Sequence, residues 1–392
     1  MNASRLKQWA SIAATVTLLP TIAAAQEPLK IGFMAELTGT QAALGQDMYD
    51  GFMLYLERNG GRLGPRTVEV IKADSQLKPE VGTQLVERLV DKEKVPIIVG
   101  VTFSNVMLAV HRPITQREVF LIGANAGPSQ MAGKACSPYF FSTSWQNDQQ
   151  AEVVGSYARS KGYKKIVTIV PNYQSGFDFI TGFKRQYGGA AADEIYTPLN
   201  QQDFSAEISR IAAKKPDAVF AFYPGGLGVN FLRQYQQAGL LGKIPLLSAS
   251  TTDAINLPAQ RESALGVITG TAWGPDADNP ANKAFVSAFE KKHGRIPSHY
   301  AAQSYDAAQL LDSALRKVGG NVADKPRMLA ALKAADFPSV RGKFRFGNNN
   351  FPIQDLRVFE VVKGADSRIT LKTVATPLVD HQDAYHAECP LK

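Results

Sequence analysis

Apolar positions along this chain follow two alternating rhythms. Short, largely apolar runs recur at 29–34 (LKIGFM), 67–72 (TVEVIK), 96–101 (PIIVGV), 119–124 (VFLIGA) and 139–143 (YFFST), and a second series follows at 165–170, 193–197, 218–223, 245–249 and 266–273. Between them lie longer stretches in which apolar residues return every three or four positions. Residues 46–61 carry Met48, Phe52, Tyr55 and Leu56 and stop at Gly60-Gly61; 79–94 repeat Val81, Leu85 and Leu89 after a proline start. Residues 203–215 open on an aspartate cap, and 226–239 end on glycine. Short runs bounded by turn residues predict strands, and the longer period predicts helices. Continuously apolar strands alternating with helices predict parallel sheets covered on both faces. The units 79–101 and 203–223 look alike, each a helix, a lysine-rich connection punctuated by proline, and a strand. The pattern therefore reads as two similar doubly wound lobes. After residue 273, helices at 281–293, 299–318 and 326–335 lead back to strands at 343–347, 356–364 and 367–374, as though the chain returns to sheets already built.

Length agrees with two lobes. Of the 392 residues, the first 25 read as an export signal: Arg5 and Lys7, an uncharged apolar run from Trp9 to Leu19, and Ala23-Ala24-Ala25 before Gln26. The run is too short to span a bilayer and meets Pro20 at its end. About 367 mature residues exceed what one core usually supports. Losing Arg5 and Lys7 lowers the formal charge from +8 to +6. The charges are scattered, without the dense basic stripe that nucleic-acid binding requires. The two cysteines, Cys136 and Cys389, are expected to form one disulfide tying the C-terminal tail to the body. Their spacing gives no metal site, and His381 and His386 read as part of a solvated tail over 379–392.

In open parallel sheets, ligands sit beyond the carboxyl ends of the strands. Here those ends are rich in small, hydroxyl, amide and aromatic residues: Thr102 to Asn105, Asn125 to Ser129, Asn172 to Ser175, Tyr223 to Gly226, Ser250 to Thr252 and Trp273 to Pro275. They are nearly free of histidine, lysine and arginine. Such ends suit recognition of a small molecule by backbone N–H groups, hydroxyls and rings. They do not bring nucleophile, base and orienting group together, so no catalytic residue and no cofactor is expected. Ser104 reads equally as an ordinary helix cap, and Trp145 and Trp273 equally as packing where the chain passes between lobes.

The ordered series LKIGFMAELTGTQAALGQDMYDGFMLYLERNGG, IIVGVTFSNVMLAV, FLIGANAGPS, NYQSGFDFITGFK, LRQYQQAG and GTAWGPDADNPANKAFVSAF resembles the periplasmic solute-binding proteins of the branched-chain amino acid type over nearly all of 28–362. The resemblance implies a type I periplasmic binding fold, with two α/β lobes joined by a three-strand hinge. Lobe I would take 27–145 and 275–352, and lobe II 146–273 and 353–378. It implies a monomeric carrier in the periplasm that delivers a ligand from the interlobe cleft to an ABC permease. By position in the family pattern, Ser104 would hold a ligand carboxylate, together with the loop Asn125, Ala126 and Gly127. Tyr173 and Gln174 would face the ligand from lobe II, with Tyr223 and Pro224 near a second aromatic position. Phe103, Trp145, Tyr173, Tyr223 and Trp273 could stack on a ring. Amino-acid binders of the family carry a glutamate near 250, where this chain has Ser250 and Thr251. A buried ammonium without a carboxylate is costly. The expectation is therefore an aromatic carboxylate such as a benzoate or cinnamate derivative. The alternatives are a branched-chain or other amino acid, paired with Glu36 or Asp253, and a sensory ligand-binding subunit.

Overall fold

The structure, a computed structural model, describes residues 27–391. The expected export signal lies outside them. The first sheet is built from β1 (Leu29–Ala35), β2 (Arg62–Leu63), β3 (Arg66–Asp74), β4 (Ile97–Gly100), β5 (Phe120–Gly123) and β6 (Phe140–Ser142), in the order β2-β3-β1-β4-β5-β6. All neighbours are parallel except the β2–β3 hairpin. The second sheet holds β7 (Ile166–Pro171), β8 (Asp193–Thr197), β9 (Ala218–Phe222), β10 (Leu246–Ala249), β11 (Ile268–Thr271), β12 (Arg345–Phe346), β13 (Pro352–Lys363) and β14 (Ile369–His381). Its order is β12-β13-β11-β10-β9-β7-β8, with β14 on β13. We call the body around the first sheet lobe I and that around the second lobe II.

The apolar runs become strands because successive side chains enter opposite faces that are both covered. Ile31, Phe33, Ile97, Val99, Phe120 and Ile122 share one core with helices α1 (Ala42–Arg58) and α11 (His299–Lys317). Met34, Ile98 and Leu121 point the other way, to α2 (Pro79–Val86) and α3 (Ser104–Thr115). Lobe II repeats the arrangement. Val167, Ile169, Val219 and Ala221 face α7 (Ser205–Lys214) and α8 (Gly226–Gln237), whereas Ile166, Val170, Phe220 and Phe222 face α5 (Asp148–Ser160) and α6 (Gln174–Tyr187). Three further helices, α4 (Ser129–Ala132), α9 (Leu257–Gln260) and α12 (Lys325–Lys333), are short, and α10 is Pro280–His293.

The chain passes between the sheets after β6, after β11 and on entering β13. A buried guanidinium joins the first and third of these passages. Arg341 donates to the carbonyls of Thr143 (2.6 Å) and Ser144 (2.9 Å) just after β6, to Gln354 Oε1 of β13 (2.8 Å), and to Asp306 of α11 (3.2 Å). Asp306 also accepts from the Ser339 hydroxyl and the Val340 N–H.

The tail departs from its expected reading. β14 runs on to His381, whose Nε2 lies 2.5 Å from the buried Glu152 carboxylate of α5. His386 Nδ1 meets the Asp383 carbonyl at 2.7 Å. Tyr385 donates to Asp148 on α5, while Asn349 of the β12–β13 hairpin donates to Asp383. The tail ends on lobe I through the Cys136–Cys389 disulfide. It is a packed segment, because buried acids on α5 and in the tail itself require these partners.

Replacing Arg341 with methionine should strand the Asp306 carboxylate and two buried carbonyls. Urea unfolding of this variant is expected to show a loss of roughly 3–5 kcal/mol. The double variant with Asp306→Leu should recover much of it, and a single variant as stable as the wild type would show that the guanidinium does not hold the passages.

Candidate ligand-binding site

The carboxyl ends of β1, β4, β5, β7, β9 and β10 face the space between the lobes, and five helices begin there. α1, α3 and α11 come from lobe I, and α6 and α8 from lobe II. The first backbone bond of α3 is from Met107 N–H to the Phe103 carbonyl, so the N–H groups of Ser104, Asn105 and Val106 have no partner within the helix. α6 starts bonding at Phe177, and α8 at Gly228, leaving free N–H groups in the same way. Helix starts of this kind carry positive partial charge and attract anions.

Between them lies a narrow, partly open chamber, with about 330 Å³ of space not taken up by atoms when the solvent at its mouth is included. Six rings line it: Phe103, Trp145, Tyr173, Phe179, Phe222 and Tyr300. Tyr173 stacks near Phe222 (centroids 6.3 Å, 18° between planes), and Phe179 stacks on Phe222 at 3.8 Å. Thr102, Asn125, Asn147, Ser175 and Ser250 supply the polar wall, and Leu44, Ala126 and Pro224 complete it. Among the described residues, no lysine, arginine, histidine, aspartate or glutamate lines the chamber. Burial pushes the phenols of Tyr173 and Tyr300 well above the usual tyrosine range, so both remain protonated donors.

One wall is a polar network that spans the lobes. Asn147 Nδ2 lies 3.0 Å from Ser104 Oγ and 2.9 Å from Asp178 Oδ2, and the Ser175 hydroxyl donates to Ser104 Oγ at 2.8 Å. Ser104 thus accepts two bonds and keeps its own proton to donate. Asp178 on α6 also accepts from the N–H (3.2 Å) and hydroxyl (2.8 Å) of Ser129 in lobe I. These bonds require the lobes to be together. Two strand-end residues adopt left-handed backbone conformations where a side chain is costly: Val101 (φ 63°) and Ser250 (φ 54°). Strain of this kind clusters at functional sites.

Phe103, Asn125, Ala126, Tyr173, Pro224 and Ser250, all singled out from the sequence, come together on this chamber. Ser104 stands behind its surface, touching it through Asn147 and Ser175. Five residues turn elsewhere. Gly127 is a close approach: its N–H donates to Asn147 Oδ1 (3.0 Å), and any Cβ would overlap the Trp145 carbonyl oxygen. Gln174 Nε2 donates to Asp178. Tyr223 lies in the lobe II core with its hydroxyl on Thr197. Thr251 Oγ1 accepts from Tyr223 N–H and donates to the Ala221 carbonyl. Trp273 Nε1 donates to Asn282 (2.7 Å) and packs on Phe285. Of the hydroxyls 250–252, Ser250 alone reaches the chamber, and its hydroxyl also donates to Gln150 Oε1. Asn147, Phe179, Phe222, Tyr300 and Leu44 were not foreseen as site residues. Phe222 sits at the strand end one residue before the expected Tyr223, and Phe179 lies one turn into α6.

Neither proposed ammonium partner lines the chamber. Glu36 is buried, accepts from the Ser75 hydroxyl (2.7 Å) and leaves Oε2 without a partner; burial raises its pKa. Asp253 accepts the N–H groups of Ile255 and Asn256, both at 3.0 Å.

Comparison with known proteins agrees with this architecture. The sequence profile of the periplasmic binding protein family matches residues 28–366. The chain belongs to that family. It is 30% identical over 381 residues to the Leu/Ile/Val-binding protein homolog 6 of Brucella melitensis biotype 1, covering 95% of this chain and 97% of the relative. Its fold superposes on the solute-binding protein of an R. palustris ABC transporter solved with benzoate (32% identity, TM-score 0.83, 91% of this chain and 100% of that one). A solute-binding protein from Rhodopseudomonas palustris BisB5, solved with 3,4-dihydroxybenzoic acid, is 30% identical with a TM-score of 0.84, over 90% and 98% of the two chains. The leucine-binding protein LivK of Thermotoga maritima shares the fold at 22% identity (TM-score 0.78, 89% and 99%). The protein is therefore an ABC transporter solute-binding protein of the branched-chain amino acid type, with a type I periplasmic binding fold. The family binds small organic ligands and works with ABC permeases.

Burial pushes the Asp253 carboxyl up to about 7, with the Asp47 charge adding to the rise. An unfolded aspartate titrates near ~3.9, so the folded state holds the extra proton between those values. The stability this contributes is full below about pH 4 and is lost as pH rises through 7. Asp253→Asn removes this loss. Its thermal midpoint is expected to fall less than that of the wild type between pH 5 and pH 8, and parallel falls would mean that Asp253 is ionised throughout.

Proposed function

We propose that this protein captures a small aromatic carboxylate in the interlobe chamber and presents it to an ABC permease, as a monomeric carrier in the periplasm. The observation that carries this reading is a chamber walled by six rings and approached by helix N-termini, with no charged side chain on its surface. Rings stack on the rings that wall it. Free N–H groups and the Thr102 and Tyr300 hydroxyls on the chamber wall suit a carboxylate. An ammonium would find no carboxylate on the chamber surface, and its desolvation would go uncompensated. The relatives solved with benzoate and with 3,4-dihydroxybenzoic acid support the same class. Binding would draw the two lobes together over the ligand and complete the network through Asn147, Ser104, Ser175 and Asp178.

One observation favours a second reading, an amino-acid ligand. Glu36 Oε2 is buried and unpartnered, and the residue lies close to Thr102 and Tyr173. A small displacement of Thr102 would bring this carboxylate towards an ammonium. The sequence relatives carry Leu/Ile/Val-binding names.

Thermal unfolding against aromatic carboxylates and amino acids separates the two. A ligand at a hundredfold excess over its Kd stabilises by about 2.7 kcal/mol. We expect shifts with benzoates and none with leucine; the reverse result sinks the aromatic-acid reading. Ser104→Ala should weaken benzoate binding by roughly 1–3 kcal/mol in calorimetry, and unchanged affinity would make Ser104 a purely structural residue. Glu36→Gln should leave benzoate affinity unaltered, whereas for an amino-acid ligand it would abolish binding.

A further inference from the structure

The outer wall of the chamber is made where the β1–α1 loop of lobe I meets the β9–α8 loop of lobe II. Leu44 and Pro224 face the chamber. Gln41 and Gly226 face outwards, onto an open groove of about 1170 Å³ that runs between the lobes and is also lined by Leu77, Leu199 and Leu227. Between the two spaces lies Gly225. Its φ of +59° is left-handed, and a Cβ built on it would overlap Gln41 Oε1 and lie 3.4 Å from Leu44 Cδ1. Only a residue without a side chain lets the Gln41 carboxamide rest there.

The carboxamide is held weakly for so buried a group. Gln41 is 4% exposed, and its Oε1 has no hydrogen-bond partner. A buried carbonyl oxygen without a donor costs free energy and gains by moving to one. Although Gln41 stands immediately before α1, its side chain makes no capping bond to that helix. It therefore contributes little to the start of the helix and much to the wall.

We propose that Gln41 is a specificity-determining partition that sets the length of the ligand: it closes the chamber to acids longer than one ring with small substituents, and its removal joins the chamber to the largely apolar groove. The ligand class that would then enter is a carboxylate bearing a ring and, at the far end, an unbranched apolar chain. This rests on the reading of the chamber as the ligand site.

The test is calorimetry of wild type and Gln41→Ala with 4-n-alkoxybenzoates from methoxy to hexyloxy. Wild-type affinity is expected to fall by at least about tenfold along the series, the scale of steric discrimination in an apolar pocket. The variant should lose much less and bind benzoate nearly as well as the wild type. Gly225→Ala, which places a methyl group where the carboxamide rests, should weaken short and long acids alike. Parallel losses in wild type and Gln41→Ala, or a wild type indifferent to chain length, overturn the partition. A wild type that binds leucine and no aromatic acid overturns the aromatic-acid reading alone. The length comparison then moves to norleucine and 2-aminooctanoate, with the same two outcomes. Binding of neither series overturns both.

Discussion

The cleft lies beside three passages of chain between two sheets, and a buried guanidinium ties two of them to each other and to α11. Arg341 gathers the carbonyls of Thr143 and Ser144, the amide of Gln354 and the carboxylate of Asp306. A charge in such a place is tolerated only because nearly every donor is used. Its planar fork suits the task, since it can serve acceptors from several segments at fixed angles. Residues on either side of the cleft, such as Ser104 and Ser175, can then meet at hydrogen-bond distance without further adjustment.

Closure and selectivity are linked through the same groups. The Asn147 network joins lobe I to lobe II while also forming part of the chamber wall. With the lobes together, Asp178 receives the Ser129 N–H and hydroxyl; under the proposed function, a ligand that kept the lobes apart would deny the carboxylate those donors. The chamber itself presents rings, hydroxyls, amides and helix starts without a formal charge. For the carboxylate proposed above, recognition would rest on dipoles fixed by the fold, which need little reorganisation when the ligand arrives.

Much of this was legible in the sequence, for physical reasons that also explain what was not. Parallel strands buried on both faces appear as apolar runs, so β1, β4, β5, β7 and β9 stand out. α5 does not: Asp148, Gln149, Gln150 and Glu152 are all buried, each with a partner among Arg185, Tyr385, His381 and Ser250 from distant parts of the chain. A polar helix buried by long-range pairing carries no amphipathic stripe. The strand-end rule found the right loops but could not choose between adjacent residues. Phe222 and Tyr223 differ by one position and point to opposite faces of the sheet, one into the chamber and the other into a core. Trp273 had the right neighbourhood and the wrong orientation, because Asn282 offers its indole N–H an acceptor. Tyr300, which lies far along the chain at the start of α11, gave no local signal.

The Cys136–Cys389 bond has a consequence for how the molecule matures. It closes a covalent ring between cysteines 253 positions apart in sequence. The ring can be closed only after residue 389 has been made and released. Since the chain holds just these two cysteines, no wrong intramolecular pairing competes. Until Cys389 arrives, the single waiting thiol can react only with another molecule. Formation of this one bond is therefore the event that turns an open chain into a ring passing through both lobes.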